Sequence, residues 1–188
     1  MQGILLAAGV GRRFDPTGQT SKLLATLPDG RCVAWHSART LCDALPGSLA
    51  VIRPGQPALA EQLADAGCRI LESSEAEAGM GSALAHAVRS TPDAGGWVVA
   101  LADMPWLPGG AVRAVADAIT RPEHIAAAAF GSRRGHPVGF GARWRDMLCA
   151  LHGDSGARDM LRSAGVQLIE AGSADVLRDI DLPEHLAR

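Results

Sequence analysis

The sequence predicts an α/β fold: a three-layer α/β/α sandwich in which a mainly parallel, mixed Rossmann-like sheet lies between two layers of helices. Short, wholly apolar runs alternate with helical segments along the chain, which is typical of βαβ units. The 188 residues, 47% of them hydrophobic, suit one domain with one core. No internal repeat or low-complexity linker divides the sequence. We therefore expect a single domain over residues 1–188.

Each element is predicted from its pattern and from the turn residues that end it. The predicted strands cover 3–8, 49–52, 68–71, 97–101, 125–130 and 166–169, with shorter extended pieces at 23–27 and 176–180. The predicted helices cover 33–45, 58–66, 82–89, 110–119, 144–151 and 157–164, with a final turn at 183–187. Residues 131–141 are expected to be a glycine-rich loop and strand. Ligands bind beyond the carboxyl ends of parallel strands, so the candidate loops follow Ala8, Leu71, Leu101, Phe130 and Ile180.

Charge, hydropathy and cysteine usage exclude several classes of function. The formal net charge of −2 offers no basic field for nucleic acid or acidic lipid. No apolar run approaches the ~18 residues of a membrane helix, and no basic region precedes the N-terminal apolar run, so we expect no signal peptide. The cysteines Cys32, Cys42, Cys68 and Cys149 form no CxxC pair, so reduced thiols are expected rather than a zinc site. We expect a cytoplasmic protein that binds neither nucleic acid nor membrane.

The loop after the first strand carries the pattern of a phosphate-binding site. Gly9 and Gly11 expose backbone N–H groups that can hold phosphate, and Arg12 and Arg13 follow directly. Lys22 is the only lysine among 18 basic residues, and a compact ammonium suits a place between phosphate oxygens. The alternative for the glycines and arginines alone is a tight turn with solvated side chains.

Two common phosphate-binding motifs do not fit this loop. The third glycine of a dinucleotide-binding GxGxxG motif would stand at Phe14. A Walker A loop would need glycine directly before Lys22 and serine or threonine in place of Leu23.

Acidic residues follow the strand at 97–101 and the extended piece at 176–180. Asp103 stands between that strand and Pro105, where a carboxylate is a good Mg²⁺ ligand; the alternative is the N-cap of the next helix. Asp179 and Asp181 alternate, so both carboxylates lie on one side of an extended segment. The alternative there is capping of the helical turn that begins at Pro183.

Two glycine-containing segments complete the candidates. Gly79 and Gly81 let the backbone pass close to a ligand, and Ser82 can cap the next helix. The alternative is a flexible loop followed by a helix cap. His136, held between Gly135 and Pro137, could bind an anion or shuttle a proton. No serine or cysteine nucleophile motif is present in the sequence.

These segments stand in a characteristic order along the chain. They read LAAG at 6–9 with Gly11 and Arg13, KLL at 22–24, GMGS at 79–82, ADMP at 102–105, RGHPVGF at 134–140, GDSGAR at 153–158 and DIDLP at 179–183. The ordered set resembles the MobA-like nucleotidyltransferases, and within them the molybdenum cofactor cytidylyltransferases. The LAAG form is similar to cytidylyl-transferring members, whereas guanylyl-transferring members tend to carry LAGG.

The resemblance implies a fold like that of nucleotide-diphospho-sugar transferases and a set of residue roles. It implies transfer of CMP from CTP to the phosphate of molybdopterin, with Mg²⁺ as cofactor and pyrophosphate as product. Arg13, Lys22 and Asp103 match the catalytic positions, and Asp103 and Asp181 match the metal positions. The nucleotide would contact Leu6, Ala7, Ala8, Gly9, Gly11, Arg12, Gly79, Gly81 and Ser82. The acceptor would contact Gly135, His136, Pro137 and Asp181.

The resemblance also implies a division of the chain and a partner. Residues up to about 105 would bind the nucleotide and the remainder the acceptor, with transient contact to a molybdoenzyme or its maturation chaperone. The sequence departs from the family by a few extra residues around Asp15 to Thr20 and by Ala102, where many relatives have glycine. The alternatives are GTP or another NTP, a sugar phosphate or other small phosphate as acceptor, a non-catalytic cofactor-delivery protein, and a plain doubly wound domain.

Overall fold

Seven strands form one mixed sheet in the computed structural model, which describes residues 1–154, 156–163 and 165–187. The side chains of residues 158, 159 and 163 are outside this description. The strands are β1 (Gln2–Leu6), β2 (Leu49–Ile52), β3 (Arg69–Glu72), β4 (Gly96–Leu101), β5 (Ile125–Phe130), β6 (Arg133–Gly141) and β7 (Val166–Glu170). Their order is β3-β2-β1-β4-β6-β5-β7. All neighbouring pairs are parallel except those of β6, which runs antiparallel to β4 and β5. The predicted mainly parallel, mixed sheet is confirmed.

Helices follow most of the strands. They are α1 (Val33–Ala44), α2 (Pro57–Asp65), α3 (Met80–Arg89), α4 (Gly109–Ala118), α5 (Arg145–Cys149) and α6 (Arg158–Ser163). Short 3₁₀ turns cover Lys22–Leu24, Ser74–Ala78, Ala142–Trp144, Ala174–Leu177 and Pro183–Leu186. Within the described ranges, none of the helices has the length and hydropathy that crossing a bilayer requires.

The two faces of the sheet are covered by different helices. Along β1 and just beyond it, Leu5 and Ala7 pack in one buried cluster and Ile4 and Leu6 in another, because successive side chains of a strand point to opposite faces. The first cluster includes buried residues of α1, α2 and α4: Leu41, Leu63 and Val112. The second includes buried residues of α3, α5 and α6: Leu84, Leu148 and Met160. This arrangement is the predicted three-layer sandwich.

Two short segments differ from their predicted structure. The predicted strand 23–27 is instead a 3₁₀ turn at Lys22–Leu24 followed by one bridge between Thr26 and Cys32. The segment 176–180, predicted as extended, begins as a 3₁₀ turn at Ala174–Leu177 and becomes extended only from Arg178. Both segments lie outside the sheet, so tertiary contacts rather than strand pairing set their conformation.

Candidate active site

The carboxyl ends of β1 and β4 are neighbours at one edge of the sheet. Leu6 pairs with Leu101, and the pairing continues as Ala102 N–H donates to the Leu6 carbonyl at 3.1 Å. The buried Ser37 hydroxyl of α1 donates to the Ala102 carbonyl at 2.9 Å. These bonds fix the turn after β4 and place Asp103 beside the glycine-containing loop after β1.

Lys22 joins this turn to the C-terminal segment through a network of charges. Its Nζ atom lies 2.6 Å from Asp103 Oδ2 and 3.2 Å from Asp181 Oδ1. Arg13 Nη1 lies 2.7 Å from Asp181 Oδ2. The structure therefore brings together the four residues that the sequence predicted as catalytic or metal-binding, although they are up to 168 positions apart (from 13 to 181).

The Lys22 ammonium is almost completely enclosed, with 9% of its side chain exposed. Burial on its own would lower the pKa of Lys22, but the adjacent carboxylates of Asp103 and Asp181 outweigh it and raise the pKa. Lys22 is therefore positively charged at neutral pH. A fixed charge at this point can neutralise phosphate oxygens without reorganisation.

Backbone bonds and a small apolar cluster position Asp181. Ile180 N–H donates to the Asp103 carbonyl at 2.9 Å, and Asp181 N–H donates to His185 Nδ1 at 3.2 Å. Ile180 is fully buried in a cluster with Phe14, Leu27 and Val33. The acidic segment is therefore held against both the first loop and the turn after β4.

Three carboxylates in this region suit a divalent cation. Asp103, Asp179 and Asp181 each offer an oxygen atom, and these atoms lie within 4.8 Å of one another. Asp103 Oδ1 is buried and has no hydrogen-bond partner among the described residues. Partial burial, reinforced by the charges of Asp181 and Asp103, raises the pKa of Asp179. Crowded carboxylates with an unsatisfied oxygen are the donor set that Mg²⁺ or Mn²⁺ accepts.

The glycine-containing loop packs closely on Lys22. Gly11 has φ +68°, which favours glycine, and a Cβ atom there would be in ordinary contact with Lys22 Cγ at 3.4 Å. The Gly11 carbonyl accepts bonds from the amides of Phe14 and Asp15. Gly9 and Arg12 are exposed beside this turn, at the mouth of a cavity.

The extra residues between Arg13 and Lys22 form a turn organised by Asp15. Its Oδ1 accepts from the Thr17 amide at 2.8 Å and the Thr17 hydroxyl at 2.6 Å, and its Oδ2 accepts from the Thr20 amide at 2.6 Å. The extra residues therefore form a closed turn, after which the chain continues directly to Lys22.

Gly79, Gly81 and Ser82 connect the start of α3 to a distant loop. The Gly81 amide donates to the Gly153 carbonyl at 2.8 Å, and the Gly153 amide donates to the Ser82 hydroxyl at 3.0 Å. Gly79 has φ +133°, and a Cβ atom there would lie 2.4 Å from Asp154 Oδ1. Gly79 lines a cavity, whereas the amide of Gly81 and the hydroxyl of Ser82 are engaged in this contact.

Two cavities meet at the charged cluster. One, of about 470 Å³, is lined by the loop after β1, by Lys22 and Asp103, and by residues 76–80. The other, of about 740 Å³, is lined by Arg134, Gly135, His136 and apolar side chains. Residues that line both are Leu6, Arg13, Met80, Leu101 and Asp154. Two ligands bound in these cavities would therefore meet beside Lys22, Asp103 and Arg13.

The predicted acceptor segment is placed by β6, whose antiparallel direction brings its first residues to the same edge as the carboxyl ends of β1 and β4. Gly135 packs so tightly on the 174–177 turn that a Cβ atom would lie 2.0 Å from the Val176 carbonyl oxygen. Pro137 and Ala7 are buried and do not line the cavities.

Some cavity residues were not predicted as contacts. Asp154 lines both cavities, whereas the sequence indicated it only as part of the GDSGAR segment at 153–158. Residues 76–78, on a 3₁₀ turn after β3, line the smaller cavity; their place after a strand at the carboxyl edge was the available signal. Ser155 and the Arg158 side chain of the GDSGAR segment lie outside the described residues.

Residues 3–170 match the model of the MobA-like NTP transferase domain. The chain belongs to the MobA-like NTP transferase family. It is accordingly a nucleotidyltransferase. The match ends before Asp179 and Asp181, so their place in the site depends on the geometry above. Among curated proteins no match was found.

Several solved structures share the fold of this MobA-like domain. Rv0371c from Mycobacterium tuberculosis H37Rv is 23% identical, with a TM-score of 0.79 over 98% of this chain and 95% of that chain. A second crystal structure of Rv0371c is a complex with manganese, with a TM-score of 0.71 over 90% and 87% of the two chains. A nucleotidyl transferase from Methanothermobacter thermautotrophicus is 19% identical, with a TM-score of 0.82 over 98% and 93%.

Proposed function

We propose that this chain transfers CMP from CTP to the phosphate of a molybdopterin-type acceptor, with Mg²⁺ as cofactor and release of pyrophosphate. The observation that carries the proposal is the cluster of Lys22, Asp103, Asp181 and Arg13 at the junction of two cavities. A nucleoside triphosphate in the smaller cavity and a phosphorylated acceptor in the larger one would place their reacting groups beside this cluster.

The lining of the larger cavity supports a heterocyclic acceptor over a sugar phosphate. Its wall includes the apolar side chains of Leu84, Val99, Val138, Phe140 and Leu161. Arginine side chains, which bind phosphate, stand at other points of the lining: Arg13 and Arg134. Apolar walls of this kind can cover the faces of a flat heterocycle, while the arginines bind its phosphate group and the other polar lining residues, His136, Asp154 and Asp179, offer hydrogen bonds to its edge. The LAAG form of the first loop supports CTP as the nucleotide.

The reaction is an in-line displacement at the α-phosphorus. An oxygen of the acceptor phosphate forms the new P–O bond, and the bond between the α-phosphorus and the bridging oxygen breaks, with its electron pair leaving on pyrophosphate. A phosphate dianion is a nucleophile at neutral pH, so no general base is required. Lys22 and Arg13 would hold the phosphates in place and stabilise the charge that develops on their oxygens.

The residues present fit a divalent cation. Asp103 and Asp181 would hold it, because Asp103 Oδ1 is a buried carboxylate oxygen with no protein partner among the described residues. When bound, Mg²⁺ supplies further positive charge to the phosphate oxygens. Lys22 lies beside both carboxylates, and its positive charge offsets their mutual repulsion.

The test is pyrophosphate release by the purified protein with Mg²⁺ and each NTP, with and without molybdopterin. Release that requires both CTP and molybdopterin is the expected result. If release with CTP requires a sugar phosphate instead of molybdopterin, the acceptor is a sugar phosphate. If release requires GTP, the nucleotide is GTP. CTP binding without release under any pairing would favour the delivery-protein alternative. Contact with a molybdoenzyme or its chaperone and the cytoplasmic location stay predictions.

A further inference from the structure

The larger cavity contains one ring whose polar groups the proposed reaction does not use. His136 lines this cavity and is half-buried. Its Nδ1 atom is completely buried and has no hydrogen-bond partner among the described residues. The remaining ring nitrogen, Nε2, is therefore the polar atom that His136 can present to a ligand.

The surroundings of His136 favour the uncharged ring. Burial lowers the pKa of His136, while the backbone of Val99 and the charge of Asp103 act in the opposite direction and Arg134 reinforces the burial. Val138, two residues further along β6, and Phe140 add an apolar wall on the same strand. A neutral imidazole offers hydrogen bonds without charge, so it is a poor partner for a phosphate dianion and a good one for an amide, amine or hydroxyl group.

Two arginine side chains that can bind a phosphate group line the same cavity. Arg13 lies at the charged cluster, and Arg134 lies at the start of β6 with its Nη1 donating to the Leu161 carbonyl at 3.1 Å. Each guanidinium has further N–H donors available beyond the bonds named here. The cavity thus offers cations for a phosphate group and, besides its other charged lining residues Asp154, Arg162 and Asp179, an uncharged polar ring next to apolar side chains.

We propose that His136 determines which acceptor binds, by a hydrogen bond from its ring to an uncharged N–H, C=O or O–H group on the heterocyclic body of the acceptor. The acceptor's phosphate is bound by Arg13 and Arg134 and does not contact His136. This inference rests on the proposed function, because it takes the larger cavity as the acceptor site. It replaces the sequence-based idea that His136 binds an anion.

The experiment measures binding of two fluorescent probes, 6-hydroxymethylpterin and its phosphate ester, to the wild type and to variants at position 136. H136L removes the hydrogen bond and keeps an apolar side chain of similar size. H136Q places an amide near the position of Nε2, and H136N keeps a polar group that is too short to reach it. R134Q removes a cation and serves as the matched variant for phosphate.

We expect H136L and H136N to weaken both pterins by the same factor, about tenfold, as the loss of one hydrogen bond predicts. H136Q should stay within about threefold of the wild type on the same ground. R134Q should weaken only the phosphate ester. With CTP and molybdopterin, H136L should raise KM for molybdopterin and leave KM for CTP unchanged. If H136L fails to fold, the comparison of H136N with H136Q still tests the hydrogen bond.

Three results would overturn the inference. Wild-type affinity in both H136L and H136N would show that the ring makes no hydrogen bond to the acceptor. A loss confined to the phosphate ester would make His136 a phosphate ligand. If neither pterin binds to the wild type, a heterocyclic acceptor of this kind is excluded. Pterin binding with these variant effects, but no pyrophosphate release from CTP and molybdopterin, would contradict only the proposed function.

Discussion

At the scale of a single residue, Lys22 occupies a position whose geometry favours lysine over arginine. The chain has 17 other basic residues, all arginine. The lysine stands where its ammonium lies 2.6 Å and 3.2 Å from two carboxylates and where Gly11 packs on its stem. A planar guanidinium is wider and would not occupy this enclosed point in the same way.

The first prediction is that Lys22→Arg keeps the positive charge but lowers the rate of pyrophosphate release about 100-fold, as loss of a positioned charge does in other active sites. The guanidinium cannot reach the same point between Asp103 and Asp181 without displacing one of them. Steady-state release with CTP and molybdopterin measures the effect. Arg39→Lys, on the exposed side of α1 and paired with Asp43, is the matched control and should leave the rate unchanged.

The second prediction is that Asp103→Ala lowers turnover by at least about 100-fold while the fold is retained. The variant removes the carboxylate proposed to hold the metal, which is also the nearer partner of Lys22. The bond from the Ile180 amide to the carbonyl of residue 103 does not depend on the side chain. Circular dichroism checks the fold and pyrophosphate release checks the activity. Wild-type turnover with Mg²⁺ in this variant would be inconsistent with the proposed site.

Asp15 is a residue whose effect extends over the element that contains it, the turn between Arg13 and Lys22. The Thr17 hydroxyl, followed by the Thr20 and Thr17 amides, lowers the pKa of Asp15 from 3.8 to about 2. Because the folded pKa is below the unfolded one, the carboxylate stabilises the turn fully above pH 3.8, and this contribution is lost as the pH falls through 2.

The third prediction follows from the lowered pKa of Asp15. An NMR titration of Asp15 in the folded protein should have its midpoint near pH 2. In Asp15→Asn the Thr17 and Thr20 amides should exchange with solvent faster at pH 6, since the neutral side chain is a weaker acceptor. The matched measurement is Asp29, another exposed aspartate with a lowered pKa, which Asp15→Asn should not change. A midpoint at the ordinary value of 3.8 would show that the turn is not organised by Asp15.

At the scale of elements, periodicity predicted the strands and longer helices because these depend on local patterns. The segments at 23–27 and 176–180 were predicted wrongly because their conformation depends on partners far along the chain. Ile180 packs with Phe14 and Val33, and the 174–177 turn packs on Gly135. The antiparallel direction of β6 relative to β5 did have a local signal, because only Gly131 and Ser132 separate the two strands and a two-residue loop joins antiparallel strands.

The fourth prediction tests the packing of β6 on the 174–177 turn. Gly135→Ala would place a Cβ atom 2.0 Å from the Val176 carbonyl oxygen, so the strand or the turn must move. We expect a loss of about 2 kcal/mol in the free energy of unfolding, within the range for overpacking. Gly110→Ala in α4, where nothing lies within 4 Å of the new atom, should stabilise by about 0.5 kcal/mol. Chemical denaturation measures both, and equal stabilities for the two variants would contradict the close approach.

At the scale of the whole molecule, the site collects residues from both ends of the chain at one edge of the sheet. The sequence named Arg13, Lys22, Asp103 and Asp181 as candidates but could not say which atoms meet. Their distances follow from the neighbouring positions of β1 and β4 and from the bond between Ile180 and Asp103. The two cavities and their apolar walls could not be predicted from the sequence, because residues from many elements line them.

The last prediction concerns how ligands stabilise the assembled site. A nucleotide and a metal that bind only the folded protein should stabilise it by mass action. At a ligand concentration 100 times Kd the free energy of unfolding rises by about 2.7 kcal/mol, which raises the melting temperature by roughly 5–10 °C for a domain of this size. We expect this shift with CTP and Mg²⁺ and a much smaller one with CTP and EDTA. Asp103→Asn should remove most of the difference between the two conditions, because Asp103 supplies the unpartnered buried oxygen. Equal shifts with Mg²⁺ and EDTA in the wild type would show that the carboxylates do not hold a cation for the nucleotide.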